Sequence, residues 1–305
     1  MKKNNKVLFI GSKQLGLDCL KMMYSSSPKS LIGVITLDDS SDTRTKFQDF
    51  RQFCRDKNLK LYVTYTKKEA DEVIEKLTPD ICFVIGWYRI FSKATLKLVP
   101  NGFIGIHNSL LPKYRGGSPL VWSVINGEKK TGFSVFSFSD GMDEGNIWLQ
   151  KEIEIKKTDY VHDVLFKIEK EAASQMKKNY LKIVNGKIKP KPQNHKLATF
   201  CAQRIPNDGL INWYQPAEKI YNFIRAQSVP YPGAFTFFGG NKLTIWKSEI
   251  IKEIYYGTPG QVARVTDKGV KIICGENTVL LITDVSYAER DINAREIIKS
   301  INTRL

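Results

Sequence analysis

A histidine and an aspartate 36 residues apart carry the chemistry that this sequence offers. His107 ends the apolar run Phe103-Ile104-Gly105-Ile106 and opens the segment IHNSLLPKYRGGSP, which holds two prolines and two glycines between Ser109 and Pro119. Asp143 lies in the glycine-flanked loop SDGMDEG, just after the apolar run Phe133–Phe138. The chain has only three histidines in 305 residues, and an imidazole at the carboxyl end of a buried strand stands where open α/β sheets receive ligands. A histidine and a carboxylate converging on that edge point to proton transfer on a small substrate. The plainer reading of His107 is a structural strand-end residue, and these residues alone do not choose between the two.

The elements that must position this pair read as alternating strands and helices. Val7–Ile10, Leu31–Thr36, Leu61–Val63, Ile81–Ile85 and Phe103–Ile106 are short apolar runs of strand type, and Gln14–Tyr24, Thr45–Asp56 and Lys68–Leu77 have helical spacing. Leu120–Ile125 reads as a helix, Thr131–Phe138 and Ile147–Ile155 as further strands, and Val161–Val184 as one long helix stopped by Asn185-Gly186. That order predicts an α/β fold: a doubly wound, mainly parallel Rossmann-like sheet with right-handed crossovers. The stretch KIKPKPQNHKLAT has linker character, as a solvated extended crossing or a basic phosphate contact. Beyond it come one amphipathic helix, Ala217–Ala226, a turn at Pro230-Tyr231-Pro232-Gly233, and five short strands, 234–238, 242–246, 260–266, 270–274 and 278–285. They suit a smaller OB-like β-barrel domain. The expected division is 1–188 for a catalytic domain, 189–206 for a linker and 207–305 for the C-terminal domain.

Composition narrows the function classes. The five cysteines, Cys19, Cys54, Cys82, Cys201 and Cys274, stand singly, which argues for reduced thiols and against a zinc site. No apolar stretch nears the roughly 18 residues that span a bilayer. The short run after MKKNNK reads as a first strand rather than a leader, so a cytoplasmic protein is expected. The net charge of +16 favours anionic partners such as tRNA, a nucleotide or a polyglutamylated small molecule, although lysines spread over the whole chain are also ordinary surface composition. Gly11-Ser12-Lys13-Gln14-Leu15-Gly16 is not GxGxxG, and Leu37 rather than an acid ends the second strand, so a dinucleotide site is disfavoured. Walker, GxSxG and HExxH sequences do not occur.

The segment IHNSLLPKYRGGSP resembles the signature of the folate-dependent formyltransferases, the family of methionyl-tRNA formyltransferase and the sugar-amine N-formyltransferases. TGFSVFSFSDGMDEGNIWLQKE resembles the family's second signature with its Asp at Asp143, and RIPNDGLINW and IYNFIRAQSVPYPGAF resemble the start of the family's C-terminal domain. The resemblance implies transfer of a formyl group from 10-formyltetrahydrofolate, as co-substrate, to an amine, with no metal. His107 then stabilises the oxyanion or takes a proton, and Asp143 orients and stabilises the imidazole.

The same resemblance places folate against Arg89, Ile90, Phe91, Ser109, Leu110, Leu111, Pro112 and Asp140, the last as a turn residue rather than a second acid. It gives Lys113, Arg115 and Arg225 to the glutamate tail or a substrate phosphate. Plain packing and solvation are the competing readings of Trp87–Phe91, surface solvation of Lys113 and Arg115, and a helix-terminal cap of Arg225.

One position departs from the pattern. The family usually carries Asn two residues before the His, and here that position is Gly105, which leaves the strand face without an amide donor; Asn108 is the candidate replacement. The loop after the second strand, LDDSSDTRTKFQDF, is short and begins acidic, unlike the long basic loop of the tRNA-acting members. The expected acceptor is therefore a nucleotide-linked amino sugar. The alternatives are the methionyl-tRNA enzyme, a 10-formyltetrahydrofolate hydrolase and an impaired folate-binding relative. An exposed apolar strand edge in the second domain offers a surface for a homodimer.

Overall fold

The structure, a computed structural model, describes residues 5–305. Two compact units divide the chain: Met1–Gly116, Thr131–Ile153 and Phe166–Phe200 form the first, and Gly117–Lys130, Glu154–Leu165 and Cys201–Leu305 the second. The first is built on β1 (Val7–Gly11), β2 (Leu31–Leu37), β3 (Leu61–Thr64), β4 (Ile81–Ile85), β5 (Phe103–His107), β7 (Lys130–Ser137) and β8 (Ile147–Glu154), with the two-residue β6 (Arg115–Gly116) in the loop between β5 and β7. Its seven-stranded sheet has the order β3-β2-β1-β4-β5-β7-β8. Strands β1 to β5 pair in parallel, and β7 runs antiparallel to β5. The parallel core follows from continuous apolar runs: all five residues of β1 and of β4 are buried, as strands covered on both faces must be.

Strand order reverses between β1 and β4, and the two strand ends are stitched together there. Ser12 Oγ donates to the Gly86 carbonyl at 2.6 Å and Ser12 N to the Ile85 carbonyl at 3.1 Å. Glycine is required at the end of β1, because a Cβ on Gly11 would collide with the carbonyl of Ile85. Helices α1 (Lys13–Ser26), α2 (Phe47–Asp56), α3 (Lys67–Leu77), the short α4 (Lys93–Lys97) and α6 (Val161–Val184) complete the α/β alternation. The expected helices lie within one or two residues of α1, α2 and α3, while α4 escaped the sequence reading. It is a five-residue turn begun by the Ser92 cap, too short for a helical period to show.

The second unit holds α5 (Pro119–Ile125), packed on α7 (Ala217–Gln227), and an all-antiparallel β structure that begins after β9 (Phe200–Cys201). One four-stranded sheet has β10 (Ala234–Phe238), β11 (Asn241–Ile245), β16 (Asp284–Tyr287) and β17 (Arg290–Asn293). The other has β12 (Ser248–Ile251), β15 (Val279–Ile282), β14 (Val270–Ile273) and β13 (Val262–Val265). Eight strands thus replace the five expected. The run 278–285 is not one strand: β15 pairs with β12 and β14, whereas β16 pairs with β11 and β17, so the chain changes sheets at Thr283. Both sheets contribute to one apolar core that includes Leu243, Ile245, Ile272, Leu280 and Val285.

Among the described residues no helix is long and apolar enough to cross a membrane. Glu169, on α6, is a charged residue in a costly place. Burial first, and Asp18 on α1 second, push its carboxyl from 4.5 up to about 7, against a smaller opposing effect of Arg44. A carboxyl with a raised folded pKa binds its proton more tightly when folded, so stability falls as pH rises from about 4.5 to about 7 and stays reduced above that. Glu169→Gln is therefore expected to melt higher than the wild type at pH 8, with the gap closing toward pH 4.5. Melting curves across that range check it, and a constant gap contradicts it.

Candidate active site

His107 is the last residue of β5 and is 9% exposed, so its imidazole is held by protein rather than water. Nε2 lies 2.7 Å from the carbonyl oxygen of Tyr114. Nδ1 lies 3.6 Å from Asp143 Oδ2, an electrostatic contact beyond hydrogen-bond length. The ring thus faces an oxygen acceptor on each edge, and a proton taken up on either nitrogen finds a partner there. Contacts of this length between catalytic groups commonly tighten when a substrate closes the site.

The Asp143 carboxylate accepts its hydrogen bond from Gly116 N at 2.8 Å. Asp143 itself has φ +48°, in the left-handed region that few residues other than Gly, Asn and Asp adopt. Such a backbone persists only where the surroundings hold it.

The loop between these residues is pinned by hydroxyls. Ser109 Oγ donates to the Lys113 carbonyl at 2.6 Å. Ser134 Oγ donates to the Ser109 carbonyl at 2.7 Å and accepts from Leu111 N at 3.0 Å. Gln150 Nε2 donates to the Leu111 carbonyl at 2.8 Å. Ser134 sits opposite His107 in the β5–β7 register, so the strand pair that carries the imidazole also anchors the loop behind it. Ser134 and Gln150 were not singled out in the sequence, although both fall inside the second motif.

Gly105 shares the strand face of His107. The face carries no amide at this position, and an aromatic ring fills it. A Cβ at 105 would collide with the ring of Phe138 and lie 3.1 Å from the Val84 carbonyl. Phe138 stacks against Phe103 and Phe136, with ring centres 6.4 and 5.3 Å away, and Phe91 continues the cluster to Trp87. An aromatic wall therefore stands on the face that Gly105 leaves without an amide. Phe138 also lines a cavity of about 340 Å³ together with Ser137, Ser139, Glu144, Gly145, Asn146 and His195.

The remaining expected residues scatter. Phe91 is buried and stacked on Trp87, Ile90 is 83% exposed, and Arg89 donates to the Thr64 carbonyl at 3.3 Å while lying over Trp87. Asp140 is exposed and pairs with Lys93 at 3.3 Å. Lys113 is exposed. Arg115 is 3% exposed and donates to Gln193 Oε1 through Nη2 at 2.7 Å. Arg225 belongs to the second unit, buried, with Nη1 on the Asp159 carbonyl at 2.7 Å and Nε on Asn222 Oδ1 at 2.9 Å. Among the described residues no group of three or more His, Cys, Asp or Glu could hold a metal ion.

Residues 5–179 match the formyl transferase family, and residues 204–302 match the formyl transferase C-terminal domain; the chain belongs to the formyl transferase family. It is 32% identical over 292 residues to the methionyl-tRNA formyltransferase of Alkaliphilus oremlandii, covering 93% of this chain and 92% of that one. It is also 32% identical over 301 residues to the bifunctional polymyxin resistance protein ArnA of Wigglesworthia glossinidia brevipalpis, covering 97% of this chain and 45% of that longer protein. Among solved structures, the N-formyltransferase from Helicobacter canadensis in complex with folinic acid and dTDP-3-aminofucose has a TM-score of 0.71 at 19% identity, over 91% of this chain and 98% of that chain. WlaRD, a sugar 3N-formyl transferase solved with dTDP and 5-N-formyl-THF, has a TM-score of 0.68 at 21% identity, over 92% and 97% of the two chains. At these identities the structural likeness speaks to the fold.

The Gly105–Phe138 contact makes a steric prediction. Gly105→Asn alone is expected to overpack the strand face and cost about 1–3 kcal/mol. Adding Phe138→Leu should recover most of that loss. Chemical denaturation of the single and double variants checks it; a single variant as stable as the wild type contradicts it.

Proposed function

We propose that the protein transfers the formyl group of 10-formyltetrahydrofolate to the primary amine of a nucleotide-linked amino sugar. The single observation that carries the reaction is the meeting of the His107 imidazole with the Asp143 carboxylate. The amine nitrogen attacks the formyl carbon, giving a tetrahedral intermediate. Its collapse breaks the bond to N10, so one proton moves, net, from the attacking amine to the departing nitrogen. His107 handles that proton and donates to the oxyanion, and Asp143 stabilises the ring while it is charged. Gly105 leaves no amide on this face, and Asn108, the residue after His107 in the sequence, is proposed as the second oxyanion donor. Ser109, Leu110, Leu111 and Pro112, with Arg89, Ile90, Phe91 and Asp140, are proposed to border folate. Lys113, Arg115 and Arg225 are proposed to meet anionic groups of the substrates. Folate-bound relatives of the same fold, crystallised with folinic acid and 5-N-formyl-THF, support the choice of formyl donor. The second unit is read as an open barrel of oligonucleotide-binding type, which its two antiparallel sheets around one core support.

The choice of acceptor rests on the loop after β2. Asp38, Asp39 and Asp42 outnumber Arg44 and Lys46 there. Lys13 Nζ lies 2.6 Å from Asp39 and 2.7 Å from Asp42, and Arg44 Nη2 lies 2.9 Å from Asp42. Burial alone would raise the Asp42 carboxyl, but hydrogen bonds from Arg44 and Lys13 hold it well below the usual carboxylate range. Arg44 of this loop and Lys13 of α1 are thus spent on the loop's own carboxylates, which suits a small acceptor better than a phosphate backbone. The Helicobacter canadensis relative, crystallised with a dTDP-amino sugar, supports the same choice. The tRNA reading stands second. Similarity to methionyl-tRNA formyltransferases over nine-tenths of the chain and the net charge of +16 favour it.

Formylation assays with 10-formyltetrahydrofolate test the acceptor, using dTDP-3-aminofucose, a UDP-linked aminoarabinose and Met-tRNA. Product on an amino sugar is expected. Product on Met-tRNA alone replaces this reading with the tRNA one; formate release without an acceptor makes the protein a hydrolase, and folate binding without product makes it an impaired relative. On the accepted amine, Asn108→Ala is expected to lower kcat roughly a hundred- to a thousandfold while folate binding persists. Unchanged turnover removes Asn108 from the mechanism.

A further inference from the structure

Gln193 lies in the stretch whose prolines and lysines gave it linker composition, yet it is only 6% exposed. Its Nε2 donates to two carbonyls, Asp143 O at 2.8 Å and Gly145 O at 2.7 Å. Its Oε1 accepts from Arg115 Nη2 at 2.7 Å and Nε at 3.2 Å. A guanidinium has donors only, so the amide oxygen must face it and the side chain has a single orientation. Arg115 is bonded to Gly116, whose N–H holds the Asp143 carboxylate at 2.8 Å. The contacts close a cycle: Gly116 N to the Asp143 carboxylate, the Asp143 carbonyl to Gln193, Gln193 to Arg115, and Arg115 back to Gly116.

Asp143 is therefore fastened at both its carbonyl and its carboxylate, which accounts for its persistence at φ +48°. Neighbouring residues secure the same strap. Lys191 and Ile147 exchange backbone hydrogen bonds of 2.8 and 2.7 Å, and Thr199 accepts from Arg115 N at 2.9 Å and, through Oγ1, from Tyr114 N at 2.9 Å. Tyr114 is the residue whose carbonyl meets His107 Nε2.

We propose that Gln193 is a positioning residue for formyl transfer, holding the Asp143 carboxylate against the His107 imidazole from outside both signature segments. It rests on the reading of His107 and Asp143 as the pair that handles the proton. Gln193 need touch neither substrate, so its loss misplaces the carboxylate and spares folate binding. Misplacement by about 1 Å can cost roughly a hundredfold in rate.

Gln193→Glu tests this, because it keeps the size and the acceptor for Arg115 but has no donor for the two carbonyls. Gln193→Met serves if that variant fails to fold by its melting curve. Two readouts are taken: kcat and KM with 10-formyltetrahydrofolate and the amine that the wild type formylates best, and the ¹⁵N NMR shifts of the His107 ring, which need no turnover. The expected result is a kcat about a hundredfold lower, a KM for 10-formyltetrahydrofolate close to that of the wild type, and ring shifts displaced toward those of Asp143→Asn. A folded variant with wild-type kcat or wild-type ring shifts overturns the proposal. Asp143→Asn separates the two levels. If it leaves kcat intact, the pair reading fails and the positioning role with it; if it lowers kcat while Gln193→Glu does not, the positioning role alone fails.

Discussion

A carboxylate can help an imidazole only if it is kept beside it, and Asp143 has little intrinsic reason to stay. Its backbone is in a left-handed conformation, in a loop with two charged neighbours, Asp140 and Glu144, and two glycines, and its side chain is a quarter exposed. Two hydrogen bonds hold it, one from Gly116 N–H to its carboxylate and one from the Gln193 amide to its carbonyl. Much of the first unit can be understood as the support for those bonds. The parallel strands end in register so that His107 arrives at the edge, β7 runs back beside β5 and delivers the loop of Asp143, and the hydroxyl of Ser134 ties the intervening loop to that strand.

The framework of the first unit was legible because burial on both faces demands uninterrupted apolar runs, which Val7–Ile10, Ile81–Ile85 and Phe103–Ile106 supply. The long α6 was legible from its period and its Asn185-Gly186 stop. The second unit was harder. Its strands are four or five residues long, too short to show alternation, and the apolar run through Val279–Val285 concealed a change of sheet at Thr283. Strands β12 and β17 were missed for the same reason.

The site was half legible. His107 and Asp143 stood out through residue type and punctuation, and the structure brings them together. Phe138 and Gln193 did not stand out. An aromatic residue ending an apolar run looks like ordinary core, and its meaning emerges only when β7 runs back along β5, with Phe136 opposite Gly105 and the Phe138 ring lying over it. Gln193 sat among prolines and lysines that read as a solvated crossing. Its burial depends on Arg115 and on a loop 50 residues away, a long-range pairing to which local composition is blind. The missing Asn and the aromatic wall belong together: with Phe138 in place, a side chain on 105 has no room.

What the imidazole at 107 and the carboxylate at 143 do jointly is open to direct measurement by a double-mutant cycle on kcat/KM for formyl transfer, with His107→Ala, Asp143→Ala and the double variant. A unit predicts that the double variant is no slower than His107→Ala alone, because the carboxylate acts only through the ring. Additive losses, with Asp143→Ala costing as much in the absence of the imidazole as in its presence, would contradict the account.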